Sequence, residues 1–141
     1  MTREGAFADA VVLLRDESDV PVLRDRVRRL GREQGLSRVE VESLATAVSE
    51  IARNVLDHAG EGFATLDAVA DGVRSGVQVT FRDAGQGIAN VELALQDGYS
   101  SRGGLGLGLA GASRMVDEFS IESAPGSGTL VTLRQWSRQT R

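Results

Sequence analysis

The stretch GLGLGLAGASRMVDEF, residues 104–119, places four glycines within eight positions and then continues with the pattern of a helix. Glycine inside a helix costs roughly 1 kcal/mol relative to alanine, so this composition indicates a close approach to the backbone. A glycine-rich turn that enters a helix presents free N–H groups and the positive end of the helix dipole, which favour phosphate. Taken alone, the stretch is equally typical of a flexible turn that packs closely.

Two familiar phosphate-binding loops do not fit this stretch. Its glycines spell G-x-G-x-x-G from Gly106 to Gly111, but the polar residues QDGYSSRGG precede it where a dinucleotide-binding fold needs a strand. A protein-kinase glycine loop needs a lysine partner. The chain has no lysine, since all 16 basic residues are arginine, and this also excludes a Walker A loop and Schiff-base chemistry.

The composition sets further limits on function. A chain of 141 residues with 41% hydrophobic and 26% charged residues predicts one globular domain over residues 1–141. The absence of cysteine, with His58 the one histidine, excludes disulfides, thiolate nucleophiles and cysteine- or histidine-rich metal sites. The net charge of −4 predicts no nucleic-acid partner. No long apolar run or secretion signal is present, which predicts a cytoplasmic protein with no membrane partner.

Periodicity predicts an α+β fold. Its elements are a strand over 9–15, a helix from Ser18 or Asp19 to Gly35, a helix from Ser37 to Ala59, strands over 63–70 and 76–82, a long polar loop over 83–104, a helix over 106–118, and strands over 119–124 and 129–136. This order predicts a two-layer sandwich with a mixed, mostly antiparallel sheet and helices on one face. The arginine run of the first helix indicates a solvated face or, as the weaker alternative, a partner surface.

The second helix carries a polar flank beside its apolar stripe. Ser37 and Glu40 form the pattern of a capping box, and the apolar positions from Val41 to Val55 recur at helical spacing. Glu50, Asn54 and His58 follow each other four residues apart on another flank of the helix. A carboxylate, an amide oxygen and an imidazole in line suit a metal-bound phosphate chain, although a solvated polar face has the same pattern.

Two further stretches indicate a binding site for a purine base. In RDAGQGI, residues 82–88, Asp83 ends a strand before a glycine turn, where its carboxylate can accept a hydrogen bond from an exocyclic amine. A plain Asp-Gly turn is the alternative. In GSGT, residues 126–129, Thr129 begins a strand and can offer its hydroxyl to the same base.

Together these stretches resemble the GHKL superfamily, the ATP-binding fold of gyrase, sensor histidine kinases and MutL. The four motifs are E-x-x-x-N at Glu50 and Asn54, D-x-G-x-G-I from Asp83 to Ile88, G-L-G-L-G-L from Gly104 to Leu109, and G-x-G-T from Gly126 to Thr129. They cover nearly the whole chain in the family's order. Within the superfamily, residues 97–119 most resemble the RsbT-type serine/threonine switch kinases, which are related to the anti-sigma factors RsbW and SpoIIAB.

The resemblance implies a Bergerat-type fold that uses ATP and Mg²⁺. It implies that Asp83 binds the adenine amino group with help from Thr129, that Asn54 coordinates magnesium, and that Glu50 is the catalytic base. Residues 89–103 are implied to be a lid over ATP, and Arg53 or Arg102 is placed to neutralise phosphate charge. The other nucleotide-binding positions that the resemblance implies are His58, Gly85, Gly87, Ile88, Gly104, Leu105, Gly106, Leu107 and Gly108.

The implied function is an ATP-dependent serine/threonine protein kinase. Its implied substrate is a STAS-domain antagonist or scaffold protein of a bacterial stress-response, partner-switching pathway, with a PP2C-type phosphatase or a sigma factor as a further partner. Two alternatives stay open: an anti-sigma factor, and a non-catalytic ATP-sensing module. The presence of Glu50 disfavours the sensing module, and the similarity around the lid favours the kinase over the anti-sigma factor.

Overall fold

The structure of the protein, a computed structural model, describes residues 10–88, 95 and 109–138. In this part of the chain the elements follow in the predicted order. They are β1 (Ala10–Leu14), α1 (Asp19–Glu33), α2 (Arg38–Ala59), β2 (Gly62–Asp71), β3 (Arg74–Asp83), α3 (Leu109–Met115), β4 (Glu118–Ser123) and β5 (Thr129–Trp136).

The strands form one sheet in the order β1-β2-β3-β5-β4, and each neighbouring pair is antiparallel. β3 and β4 therefore run in the same direction with β5 between them, so the connection through α3 crosses over β5. The predicted two-layer α+β fold is confirmed. Among the described strands the sheet is antiparallel throughout, because the strands that share a direction are not neighbours.

The helices cover one face of this sheet. Side chains alternate along a strand, and in β3 the odd-numbered positions Val77, Val79 and Phe81 are buried while Arg82 is exposed. The apolar stripe of α2 packs on the buried face and matches the predicted core positions: Val41, Leu44, Val48, Ile51 and Val55. The core therefore lies between the sheet and the helices.

Local hydrogen bonds fix where α1 and α2 begin and end. At α2 the Ser37 side chain accepts the Glu40 N–H and the Glu40 side chain accepts the Ser37 N–H, which confirms the capping box. At α1 the Ser18 side chain makes no cap bond. The Asp19 carboxylate instead accepts the N–H groups of Arg15 and Asp16. The N–H groups of Gly35 and Leu36 bond back into α1, so Gly35 ends it as predicted.

The third helix is shorter than predicted at its C-terminal end. α3 ends at Met115, and Glu118 is already the first residue of β4. The reason is tertiary: the Asp117 N–H binds the Gln135 side chain and the Asp117 carboxylate accepts the Trp136 N–H. These bonds to β5 replace the helical bonds that the sequence pattern favours.

Candidate functional site

Asp83 and Thr129 lie together at one end of the sheet. Asp83 is the last residue of β3, Thr129 is the first of β5, and the register pairs them directly. Side chains of directly opposed residues share a face, and this face is the one that the helices cover. One carboxylate oxygen of Asp83 accepts the Gly85 N–H at 2.9 Å. The structure thus brings together the two side chains that the sequence assigned to one base.

The glycines of these two motifs allow their backbones to touch. A Cβ on Gly128 would lie 2.2 Å from the Asp83 carbonyl oxygen, and one on Gly87 would lie 2.0 Å from the Ala124 carbonyl oxygen. Both glycines also have φ in the left-handed region, at +73° and +81°. Only glycine fits either position, so the turn over 84–88 lies directly against the turn before β5.

The C-terminal half of α2 lies over the same end of the sheet. A Cβ on Gly62 would meet both the Val55 side chain at 2.8 Å and Asp83 Cβ at 3.1 Å. A Cβ on Gly85 would lie 2.7 Å from the Cβ of Ala59, the last residue of α2. The helix that carries the predicted catalytic and metal-binding residues therefore contacts the strand end and the turn that carry the predicted base-binding residues.

The polar flank of α2 is accessible. The Glu50 side chain is 25% exposed, and its carboxylate lies 3.6 Å from the Arg53 guanidinium. Asn54 is half-buried and His58 is exposed. Within the described residues, neither the Asn54 amide nor the His58 ring has a hydrogen-bond partner. Successive members of this flank are about 6 Å apart along the helix axis. The flank can therefore offer to a ligand a carboxylate and an amide oxygen that no described residue binds.

The phosphate-binding motif itself lies outside the described residues. Gly104, Leu105, Gly106, Leu107 and Gly108 are not described, nor is Arg102 or, apart from Leu95, the predicted lid over 89–103. The helix that follows this motif is described: α3 begins at Leu109 and packs against α2. In the sequence, the glycine motif therefore directly precedes a helix that packs against α2.

One polar residue at this site was missed by the sequence analysis. The Ser123 hydroxyl lies 2.8 Å from the Ile88 N–H, from the Gly128 carbonyl and from the Thr129 hydroxyl. Ser123 is the last residue of β4 and is paired with Thr129 in the sheet register. Nothing in its local sequence distinguishes it from other serines, because its partners come from two other segments of the chain.

A cleft lies at the opposite, N-terminal end of α2. This cleft, of about 420 Å³, is lined by Ser37, Glu40, Arg114, Asp117, Gln135 and Arg138, among others. None of the described site residues lines it. In residues 10–88 and 109–138, no helix combines the length and apolar character that crossing a membrane requires.

Comparison with known proteins identifies the class of this fold and site. The sequence profile of the histidine kinase-like ATPase domain matches residues 13–135, and the chain belongs to this family. A similar protein is the serine/threonine-protein kinase RsbT of Bacillus subtilis (strain 168), 37% identical over 127 residues that cover 90% of this chain and 96% of RsbT. The anti-sigma F factor of Thermoanaerobacter sp. (strain X514) is 33% identical over 103 residues, 69% of this chain and 71% of that protein.

A solved structure agrees with the fold. The mycobacterial sensor histidine kinase MprB matches with a TM-score of 0.57 and 20% identity, over 92% of this chain and 97% of that chain. The predicted GHKL-type family and fold are confirmed. The predicted class, an ATP-using serine/threonine protein kinase of the switch-kinase and anti-sigma type, is likewise confirmed. The roles of individual residues stay predictions.

Proposed function

We propose that this chain transfers the γ-phosphoryl group of ATP to a serine or threonine hydroxyl of a small STAS-domain protein. The pathway we propose is a cytoplasmic, partner-switching stress response in bacteria. The observation that carries the proposal is the contact of the Asp83–Thr129 strand ends with the half of α2 that bears Glu50 and Asn54. The similarity to a serine/threonine kinase over 90% of the chain supports the same reaction.

The adenine ring of ATP is proposed to lie against Asp83 and Thr129. The exocyclic amine carries two N–H donors, and the Asp83 carboxylate has an oxygen beyond the one that accepts the Gly85 N–H. Gly85, Gly87 and Ile88 form the turn beside this carboxylate, and the backbone of this turn is proposed to lie against the ring. Guanine presents a carbonyl oxygen in place of the amine, so the same carboxylate would repel it.

The phosphate chain is proposed to extend from this strand end along the α2 flank to the start of α3. Mg²⁺ favours oxygen ligands, and Asn54 has an amide oxygen that is accessible and free of hydrogen bonds among the described residues. The donor type and exposure of Asn54 therefore fit Mg²⁺, which neutralises phosphate charge when bound. Gly104 to Gly108 would supply backbone N–H groups, and His58 at the end of the same flank is proposed to lie near the phosphates.

Glu50 is proposed to act as the general base. The serine hydroxyl of the substrate would give its proton to the Glu50 carboxylate while its oxygen bonds to the γ-phosphorus and ADP leaves. The Arg53 guanidinium lies 3.6 Å from this carboxylate. The exposure of the Glu50 side chain leaves room for a protein substrate to approach.

Intact-mass measurement of phosphoryl transfer tests this function. The chain would be incubated with Mg-ATP and purified STAS-domain proteins of its own organism. We expect one of them to gain a single phosphoryl group on a serine or threonine, and we expect chelation of Mg²⁺ to abolish the gain. Binding of ATP without transfer to any STAS protein would instead support the ATP-sensing module.

A second candidate function is sequestration of a sigma factor. The observation that favours it is the set of anti-sigma F factors among the similar proteins. Co-elution of the chain with a sigma factor in the presence of ADP or ATP would support this role. Co-elution with a PP2C-type phosphatase would instead identify a phosphatase as the downstream partner.

A further inference from the structure

Ser123 connects the two motifs that surround the proposed adenine site. Its hydroxyl lies 2.8 Å from the backbone N–H of Ile88, which ends the first motif. It also lies 2.8 Å from the carbonyl of Gly128 and 2.8 Å from the hydroxyl of Thr129, both in the second motif. The side chain is partly buried. Its three partners come from two other segments, so this arrangement exists only in the folded protein.

The chemistry of these partners fixes the direction of each hydrogen bond. A serine hydroxyl has one hydrogen to donate and two lone pairs to accept with. The Ile88 N–H can only donate, and the Gly128 carbonyl can only accept, so Ser123 gives its hydrogen to Gly128. Its second lone pair then accepts the hydrogen of the Thr129 hydroxyl. Thr129 therefore has no hydrogen left for a ligand, and its oxygen can only accept.

Ser123, Thr129 and Asp83 form one row across three strands. Thr129 pairs with Ser123 on one side and with Asp83 on the other, so the three side chains share the helix-covered face. An ionised Asp83 is also a pure acceptor. Two acceptors side by side match a group with two N–H donors and disfavour a carbonyl oxygen in its place.

We propose that Ser123 is a specificity-determining positioning residue, which holds the Thr129 hydroxyl as an acceptor for the second hydrogen of the adenine amino group. This inference rests on the proposed nucleotide site. Ser123 itself does not touch the nucleotide. It acts through Thr129, and at the same time it ties the turn over 84–88 to the start of β5.

The ratio of ATP to ITP affinity tests this role. In ITP a carbonyl oxygen replaces the amino group. Removal of the hydroxyl in Ser123→Ala frees Thr129 to rotate and donate to that carbonyl, so ATP affinity falls while ITP affinity is retained or rises. We expect the ATP/ITP ratio to fall roughly three- to tenfold, the effect of one neutral hydrogen bond. Titration calorimetry with Mg²⁺ measures both affinities.

Matched variants separate specificity from structural damage. Ser123→Thr keeps the hydroxyl and should keep the parental ratio. Ser120→Ala, on the exposed face of the same strand, should change neither affinity. Thr129→Val should lower the ratio, and adding Ser123→Ala to it should lower the ratio no further. If Ser123→Ala does not fold, Ser123→Cys, which fills the same space with a weaker donor, should still lower the ratio.

Four results would overturn the inference. If Ser123→Ala weakened ATP binding and ITP binding equally, Ser123 would have only a structural role. A further fall of the ratio in the double variant would show that it does not act through Thr129. A parental protein that binds ATP and ITP equally well would overturn the proposed adenine site as well. A parental preference for ATP that Asp83→Asn removes and Ser123→Ala leaves intact would overturn only the role of Ser123.

Discussion

The two ends of α2 differ in how their polar groups are used. At the N-terminal end, Ser37 and Glu40 bond to each other's backbone, Glu40 also faces Arg138 at 3.7 Å, and Arg138 donates to Asp117 at 2.9 Å. At the C-terminal end, the Asn54 amide makes no hydrogen bond within the described residues. In the same part of the chain, the Glu50 carboxylate lies 3.6 Å from the Arg53 guanidinium.

This difference distinguishes stabilising polar groups from those that we propose to bind a ligand. No buried side-chain nitrogen or oxygen in the described part of the chain lacks a hydrogen-bond partner, as expected for a stable interior. Among the described residues, the accessible Asn54 amide has no hydrogen-bond partner, and it lies in the half of α2 where the motifs converge. The cleft at the other end is lined by side chains that already bond to each other, so its volume alone does not indicate the nucleotide site.

The largest effect is expected from Glu50 at the ligand-binding end. Glu50→Gln should slow phosphoryl transfer by about 10²- to 10⁴-fold, the usual contribution of a general base, while ATP still binds. Single-turnover transfer measured beside ATP titration separates the two quantities. Glu42→Gln, on the same helix but with its side chain toward Arg28, is the matched control and should transfer at the parental rate. A parental rate in Glu50→Gln would mean that Glu50 is not the base.

Asp83 should show the next largest effect. Asp83→Asn replaces an ionised acceptor with an amide that presents a donor to the adenine amine. We expect ATP affinity to fall roughly 10- to 100-fold, the range for a hydrogen bond to a charged group. Calorimetry with ATP and GTP should also show a reduced preference for adenine. Glu122→Gln, on the outer face of β4, is the control, and equal parental affinity for ATP and GTP would contradict the assignment.

Asn54 should affect the magnesium-dependent part of binding alone. Asn54→Ala removes the proposed oxygen ligand, so Mg-ATP affinity and transfer should both fall by about tenfold or more. Affinity for ATP in the presence of a chelator should stay at the parental value. Loss of ATP affinity that is the same with and without Mg²⁺ would show that Asn54 is not a metal ligand.

A substitution at the N-terminal end of α2 should lower stability and leave ATP affinity unchanged. Ser37→Ala removes half of the capping box and should lower the free energy of unfolding by about 1 kcal/mol. ATP affinity should not change, because this end lies away from the site. Denaturant unfolding beside ATP titration measures both. Thr46→Ala, exposed on the same helix, should have a smaller effect on stability, and a change in ATP affinity in Ser37→Ala would break the contrast between the two ends.

The smallest effect is expected from the exposed ion pair between α1 and α2. Arg28 donates two hydrogen bonds to Glu42, and these lower the pKa of Glu42 from its ordinary value of 4.5. Because the folded pKa is the lower one, the stabilisation is complete above pH 4.5 and is lost as pH falls through the folded pKa.

Thermal unfolding of the parent and of Glu42→Gln tests this pair. The parent should melt slightly higher at pH 7, and the difference should vanish in acid and shrink in high salt. A difference that persists at low pH would show that the pair is not its cause. Nucleotide affinity should be the same in both proteins.

The sequence predicted local features better than element ends. The capping box at Ser37 and the strand over 129–136 agree with the structure because their determinants lie within a few residues. The third helix was predicted to run to Glu118 because nothing local interrupts its pattern. It ends at Met115 because Asp117 bonds to β5, which comes later in the chain.

The sequence by itself determined the family, the order of elements, and the residue types of the proposed site. These depend on short motifs and on periodicity, which a single segment contains. Only the tertiary structure decided that β5 lies between β3 and β4, and this order places Asp83, Thr129 and Ser123 in one row. The direction in which the Thr129 hydroxyl points depends on acceptors from separate segments, and those acceptors meet only when the sheet has formed.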